Sequence, residues 1–249
     1  MILLKIGGSV LTDKARETTI NEANMCMVAQ QIANTRVSKL MLVHGAGSFG
    51  HPQAIKYLSE GFSAQGIWKT HAAVCLLNTI FIDELQSKNV PALPIHPLDH
   101  VIVDHGKIVE FNLVALQLML ENNVIPVIHG DVVMDRSRRF SILSGDQLVT
   151  HLARIMRPQK TGMGTDVDGI IYEGKTIRHL TPTDFERYRA GITGSGNIDV
   201  TGGMLHKVSE LIDLAKLGIS SQIFDATKEG NIARFLAAGN DLGTTISAE

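Results

Sequence analysis

The sequence predicts an α/β protein: a three-layer α/β/α sandwich around a mainly parallel sheet, with projecting β-hairpins. Three observations carry that expectation. Continuous apolar runs of strand length recur at Ile2 to Ile6, Leu40 to His44 and Val124 to His129; helical patterns lie between them; and glycine-rich turns follow the runs. Strands covered on both faces have unbroken apolar runs, and parallel neighbours need helical crossovers.

Taken in order, Ile2 to Ile6 ends in Gly7-Gly8-Ser9, and Asn21 to Asn34 follows with helical character. Leu40 to His44 ends in Gly45-Ala-Gly-Ser-Phe-Gly-His51 and leads to a long, mostly apolar helical stretch from Gln65 to Ser87. Val124 to His129 ends in Gly130-Asp131. Two segments break the rhythm and predict hairpins: Val101 to Glu110, centred on Asp104-His-Gly106, and Val132 to Ile142, with Arg136-Ser-Arg-Arg139 in the middle. A helix from Gly145 stops at Pro158, where a lobe boundary is placed. Beyond it come Thr165-Asp-Val-Asp-Gly169, a hairpin turn at Tyr172 to Lys175, and a helix from Thr201-Gly-Gly203 to about Leu217. Strands are expected at Ser220 to Phe224 and Gly243 to Ile246.

Composition narrows the function classes. The 249 residues carry 23 Lys and Arg against 25 Asp and Glu, a formal net charge of −2 without a basic block, so there is no electrostatic case for nucleic acid. No uncharged apolar run approaches the roughly 18 residues of a membrane span, and Met1 to Gly8 is too short for a signal peptide, so the expectation is a cytoplasmic protein away from membranes. Cys26 and Cys75 lie in apolar helical stretches. They are expected to be reduced core thiols, with a spacing that fits neither a zinc site nor a disulfide framework, and no metal held by the protein itself.

The chemistry concentrates in three glycine clusters: Gly7-Gly8, Gly45 to Gly50, and Gly202-Gly203. Glycine lets backbone N–H groups approach phosphate oxygens, and a helix N-terminus adds partial positive charge. Gly45, Gly47 and Gly50 also spell G-x-G-x-x-G, but Phe62 to Ile82 holds no acidic residue where a dinucleotide fold needs one, and there is no P-loop motif in the chain. Phosphoryl transfer needs cations, and Lys5, Lys14 and Lys207 lie beside the clusters. Lys5 interrupts an apolar strand, so it wants a carboxylate or phosphate partner unless the strand is an edge. Asp146 opens a helix, as an N-cap or as a functional acid. Asp166 and Asp168 have the spacing of one face of a strand end, and also of a plain turn. His51 closes the second loop, placed to donate to a phosphate oxygen or to carry a proton.

Lys5-Ile-Gly-Gly-Ser9, His44-Gly-Ala-Gly47, Gly145-Asp146, Thr165 to Gly169 and Thr201-Gly-Gly-Met204 through Lys207 together resemble the amino-acid-kinase family, in that order and over the whole chain. The string His44 to His51, with Lys14 after the first loop, resembles its isopentenyl phosphate kinase branch. The resemblance implies ATP-dependent conversion of isopentenyl phosphate to isopentenyl diphosphate, in isoprenoid precursor synthesis. It implies ATP held by Lys5, Gly7, Gly8, Ser9, Gly47, Asp166, Asp168, Gly202, Gly203 and Lys207, with Mg²⁺ held mainly by the nucleotide phosphates. The acceptor would be bound by Ala46, Gly50, His51 and Gly145; Lys14 would stabilise the transferring group and Asp146 orient the lysines. Ala46 stands where many members carry a third glycine, a harmless change if only its N–H is used. Residues 1–157 would form an acceptor-binding lobe and 158–249 a nucleotide-binding lobe, or both one continuous domain, and the family implies a homodimer.

An apolar wall for the acceptor hydrocarbon is expected from Ile67, Ala72, Ala73, Leu76, Leu77 and Ile80, although the same stripe also suits a core helix. Two other functions fit the residues: a sibling kinase acting on fosfomycin or another small phosphonate or phosphate, and a non-catalytic nucleotide-binding regulator.

Overall fold

A computed structural model of the chain describes residues 1–58, 63–192, 203–237 and 242–249. In chain order the first half contains β1 (Ile2–Ile6), α1 (Gly8–Leu11), α2 (Glu22–Thr35), β2 (Leu40–His44), α3 (Gly47–Leu58), α4 (Ala64–Ser87), β3 (Ala92–Ile95), α5 (Pro97–His100), β4 (Val101–Asp104), β5 (Lys107–Phe111), α6 (Val114–Glu121) and β6 (Ile125–His129). Then come β7 (Asp131–Asp135), β8 (Arg139–Leu143), α7 (Gly145–Met156), β9 (Lys160–Thr165), β10 (Ile171–Tyr172), β11 (Lys175–Thr176), β12 (His179–Leu180), α8 (Pro182–Tyr188), α9 (Gly203–Lys216), β13 (Ser221–Asp225), α10 (Asn231–Leu236) and β14 (Thr244–Ile246).

Eight strands form the main sheet in the order β12-β14-β13-β9-β1-β2-β6-β3. Every neighbouring pair is parallel except β13 with β14. Alternation along the strands divides the core into two layers. Leu3, Met41 and Val43 pack with Leu148 and Leu152 of α7 and Val208 and Leu211 of α9. Leu4, Ile6, Leu40 and Leu42 face the other way, onto Val28 of α2, Leu77 and Phe81 of α4 and Phe235 of α10. This is the predicted sandwich, with β1 near its centre.

The two predicted hairpins form, as β4 with β5 and β7 with β8, and β10 with β11 makes the third. Parallel pairing of β4 with β7 joins the first two into one four-stranded sheet, β5-β4-β7-β8. That contact links segments about thirty residues apart, which local turn chemistry does not encode.

Helix ends follow from local sequence. Asn21 caps α2 by accepting from the Asn24 N–H, and Ser63 caps α4 through the Gly66 N–H. Ser144 and Gln147 form a reciprocal capping box at α7, which ends with Arg157 in the left-handed region before Pro158. No helix among the described residues is long and apolar enough to cross a membrane.

Candidate active site

Strands β9, β1, β2 and β6 lie side by side and parallel, so their carboxyl ends open along one edge, the usual place for ligands in such sheets. There the first two glycine loops meet backbone to backbone. A Cβ on Gly8 would stand 2.4 Å from the Gly47 nitrogen, and one on Gly45 2.7 Å from the Gly8 nitrogen. Gly145, the first residue of α7, closes the same spot: its Cβ would lie 3.0 Å from Lys5 Cε and 3.1 Å from the His44 carbonyl oxygen. That carbonyl also accepts from the Gly130 N–H at 2.9 Å. Glycine here is a requirement of close approach between three loops.

Lys5 lies on a central strand, which removes the edge-strand alternative. Its buried ammonium is 2.9 Å from Asp146 Oδ1. Asp146 is not the N-cap of α7, because Ser144 fills that role. Burial pushes the Asp146 carboxyl up, but Lys5 and then Lys207 on α9 outweigh it, and the net shift is below the ordinary carboxylate range. Lys14 Nζ pairs with Asp166 Oδ2 at 2.6 Å, half-exposed. Asp166 is likewise drawn down by Lys14 and a hydrogen bond from Ser9 against the upward pull of burial.

The structure therefore brings Lys5, Lys14, Asp146, Asp166, Lys207, Gly7, Gly8, Ser9, Gly47 and Gly145 to one sheet edge. β9 stops at Thr165, so Asp166 and Asp168 occupy the loop beyond it, the turn alternative rather than the strand-face one, and Asp168 pairs with Lys228. Gly203 opens α9 at φ +66°, while Gly202 lies outside the described residues. His51, partly buried, sits inside α3, which begins at Gly47 just after Ala46. A Cβ on Gly50 would meet Ala46 at 2.4 Å and Val74 of α4 at 2.8 Å, so this glycine lets α3 seat on α4.

Other expectations are corrected. Cys26 is exposed on α2 and Cys75 half-buried on α4, so neither is a core thiol. In the expected apolar wall Leu76 is exposed and Leu77 lies in the core; the inward stripe of α4 is Gly66, Thr70, Val74, Leu77, Asn78 and Phe81, at helical spacing.

A group of titratable side chains was invisible to sequence spacing. Cys75 Sγ lies 3.3 Å from His71 Nε2 and 3.5 Å from His96 Nδ1, and His96 Nδ1 lies 2.9 Å from His129 Nε2. His71 Nδ1 donates to Asp131 Oδ2 at 2.8 Å. Spacing along the chain gave no sign of this group, because α4, the residue after β3 and the end of β6 each supply one member of it. The hydrogen bond to Asp131, then that to Cys75, pushes His71 up to about 10. Burial raises the Cys75 thiol, but His71 and His96 more than reverse it, while burial holds His129 well below its usual range and therefore neutral.

Comparison with known proteins gives a consistent picture. Residues 1–225 match the model of the Amino acid kinase family. The chain is 36% identical to an isopentenyl phosphate kinase of Methanothermobacter thermautotrophicus over 266 aligned positions, covering 100% of both chains. It is 35% identical to an isopentenyl phosphate kinase of Methanocaldococcus jannaschii, covering 99% of this chain and 98% of that one. A solved structure of isopentenyl phosphate kinase superposes with a TM-score of 0.85 at 34% identity, covering 99% of this chain and 100% of the other.

Proposed function

The chain belongs to the amino acid kinase family, and from that premise we propose that it transfers the γ-phosphate of ATP to isopentenyl phosphate, giving isopentenyl diphosphate. The observation that carries this reading is the convergence of glycine loops around the buried Lys5–Asp146 pair, with His51 on the helix that leaves the second loop. Full-length likeness to isopentenyl phosphate kinases supports the acceptor.

In this reading residues 1–157 carry the acceptor and share the ATP phosphates through the first two glycine loops, while 158–249 supply the rest of the nucleotide site. ATP lies on Gly7, Gly8, Ser9 and Gly47, with Lys5, Lys207, Asp166, Asp168, Gly202 and Gly203 around its phosphates and base. The acceptor phosphate meets the N–H groups of Ala46 and Gly145 and the imidazole of His51, with Gly50 in the same turn. An acceptor phosphate oxygen attacks the γ-phosphorus as the bond to the bridging oxygen of ADP breaks, so no covalent enzyme intermediate is needed. Lys14 stabilises the group in transit, and Asp146 keeps Lys5 extended towards it. Catalysis is positioning plus charge neutralisation. Asp146, Asp166 and Asp168 already face Lys5, Lys14 and Lys228, so these donors fit a Mg²⁺ held mainly by the nucleotide phosphates. Bound there, the ion supplies screening of phosphate charge. We assign the enzyme to the cytoplasm as a homodimer, the latter to be checked by light scattering.

A coupled ATP assay across isopentenyl phosphate, UMP, N-acetylglutamate and fosfomycin tests the acceptor. The expected result is the highest kcat/KM with isopentenyl phosphate; no turnover of it sinks the reading, and preference for fosfomycin favours the sibling kinase. His51→Ala should raise the acceptor KM at least about tenfold, the loss of one charge-assisted hydrogen bond. Unaltered acceptor kinetics would make the histidine structural.

A further inference from the structure

We propose that Cys75, His96 and His129 form a binding site for a thiophilic divalent cation of the Zn²⁺ class, clamping α4 to the end of the sheet. Their Sγ, Nδ1 and Nε2 atoms all lie within 4.8 Å of one another. Tetrahedral zinc, with bonds of about 2.3 Å to sulfur and about 2.0–2.1 Å to nitrogen, separates its ligand atoms by about 3.3–3.6 Å. Cys75 Sγ to His96 Nδ1 is 3.5 Å. His96 Nδ1 to His129 Nε2 is 2.9 Å, an edge that needs to open by only a few tenths of an ångström.

The surrounding hydrogen bonds orient these groups as a metal site requires. His129 Nδ1 faces the Gly130 carbonyl oxygen at 3.1 Å; a carbonyl only accepts, so the proton is on Nδ1 and the Nε2 lone pair faces the cluster. His71 donates from Nδ1 to Asp131 and holds its other nitrogen 3.3 Å from the Cys75 sulfur, fixing where that sulfur points. Without a cation, the sulfur has His71 Nε2 beside it and His96 Nδ1 faces His129 Nε2. A cation takes the lone pairs of Cys75, His96 and His129 together. Binding releases the Cys75 thiol proton to solvent and shifts the His96 proton from Nδ1 to Nε2, leaving one thiolate, two neutral imidazoles and a fourth position open to water.

One thiolate with two imidazoles selects Zn²⁺ over Mg²⁺ or Ca²⁺, which want oxygen ligands. The site is separate from the phosphate-binding lysines. His44 and His129 stack near Phe81 and α4, on the sheet face opposite the one from which Lys5 reaches Asp146.

Cobalt(II) titration of the unaltered full chain tests the proposal, since tetrahedral Co²⁺ bound to a thiolate gives a near-ultraviolet charge-transfer band. The expected result is saturation at one Co²⁺ per chain, displacement by Zn²⁺, and a Zn²⁺-dependent rise in melting temperature. Cys75→Ser should abolish the band, whereas Cys26→Ser should keep it. Asp131→Asn should weaken Zn²⁺ binding about 10–100-fold by releasing His71. No band in the unaltered protein, or a band that survives Cys75→Ser, overturns the assignment.

Discussion

Lys5 is a cation in the middle of a sheet, and its nearest carboxylate explains why it is tolerated there. Removing one partner of such a buried pair leaves the other charge uncompensated. Lys5→Met should therefore cost about 3–5 kcal/mol in denaturant unfolding, and the double variant with Asp146→Asn should recover part of that loss. The pH dependence follows from the depressed Asp146 carboxyl. Its stabilisation is fully present above the unfolded value of about 3.9 and disappears as pH falls through the lower folded value. The gap between wild type and Asp146→Asn should close below about pH 4. Lys14 is different, because its pair with Asp166 is half-exposed and contributes little to stability. Lys14→Ala should lower kcat by about 10²–10³-fold while leaving the ATP KM within a few-fold, as expected for a group used in the transition state. An unchanged rate would remove it from the mechanism.

At the scale of elements, the contact between the loop after β1 and the loop after β2 sets the geometry of the site. Gly8→Ala should push the two backbones apart, cutting turnover by at least about 10²-fold, the sensitivity expected for a displacement near 1 Å. The melting temperature would show whether the fold survives. A second link joins Lys14 to His51. Pro52 lies inside α3 and has no N–H to offer the Ser48 carbonyl four residues back, and the Thr18 N–H takes that acceptor at 3.0 Å. The segment carrying Lys14 is thus tied to the helix carrying His51. The glycine loops, the three hairpins and helices α2, α4 and α7 were legible, because turn residues and periodicity are local properties. The Lys5–Asp146 association came only from the family resemblance, and the Lys14–Asp166 and Cys75–His96–His129 contacts were not legible, since each joins residues far apart in sequence whose proximity follows from strand order.

For the whole molecule, β1 has β2 on one side and β9 on the other, so residues 2–6 pair with residues 40–44 and with residues 160–164. The sandwich class was readable from its apolar runs, but this insertion of a late strand beside the first was not. It has a consequence for biogenesis. While the chain is being synthesised, one edge of β1 has no partner until more than 160 residues have been made, and a bare apolar edge is a template for aggregation. A polypeptide ending at residue 157 should therefore be recovered mainly as insoluble material, and full-length protein should refold slowly, as long-range pairing dictates. Supplying residues 158–249 as a separate chain during refolding should rescue solubility. If the shorter piece is instead soluble and monomeric on its own, the division by ligand is also a division by folding.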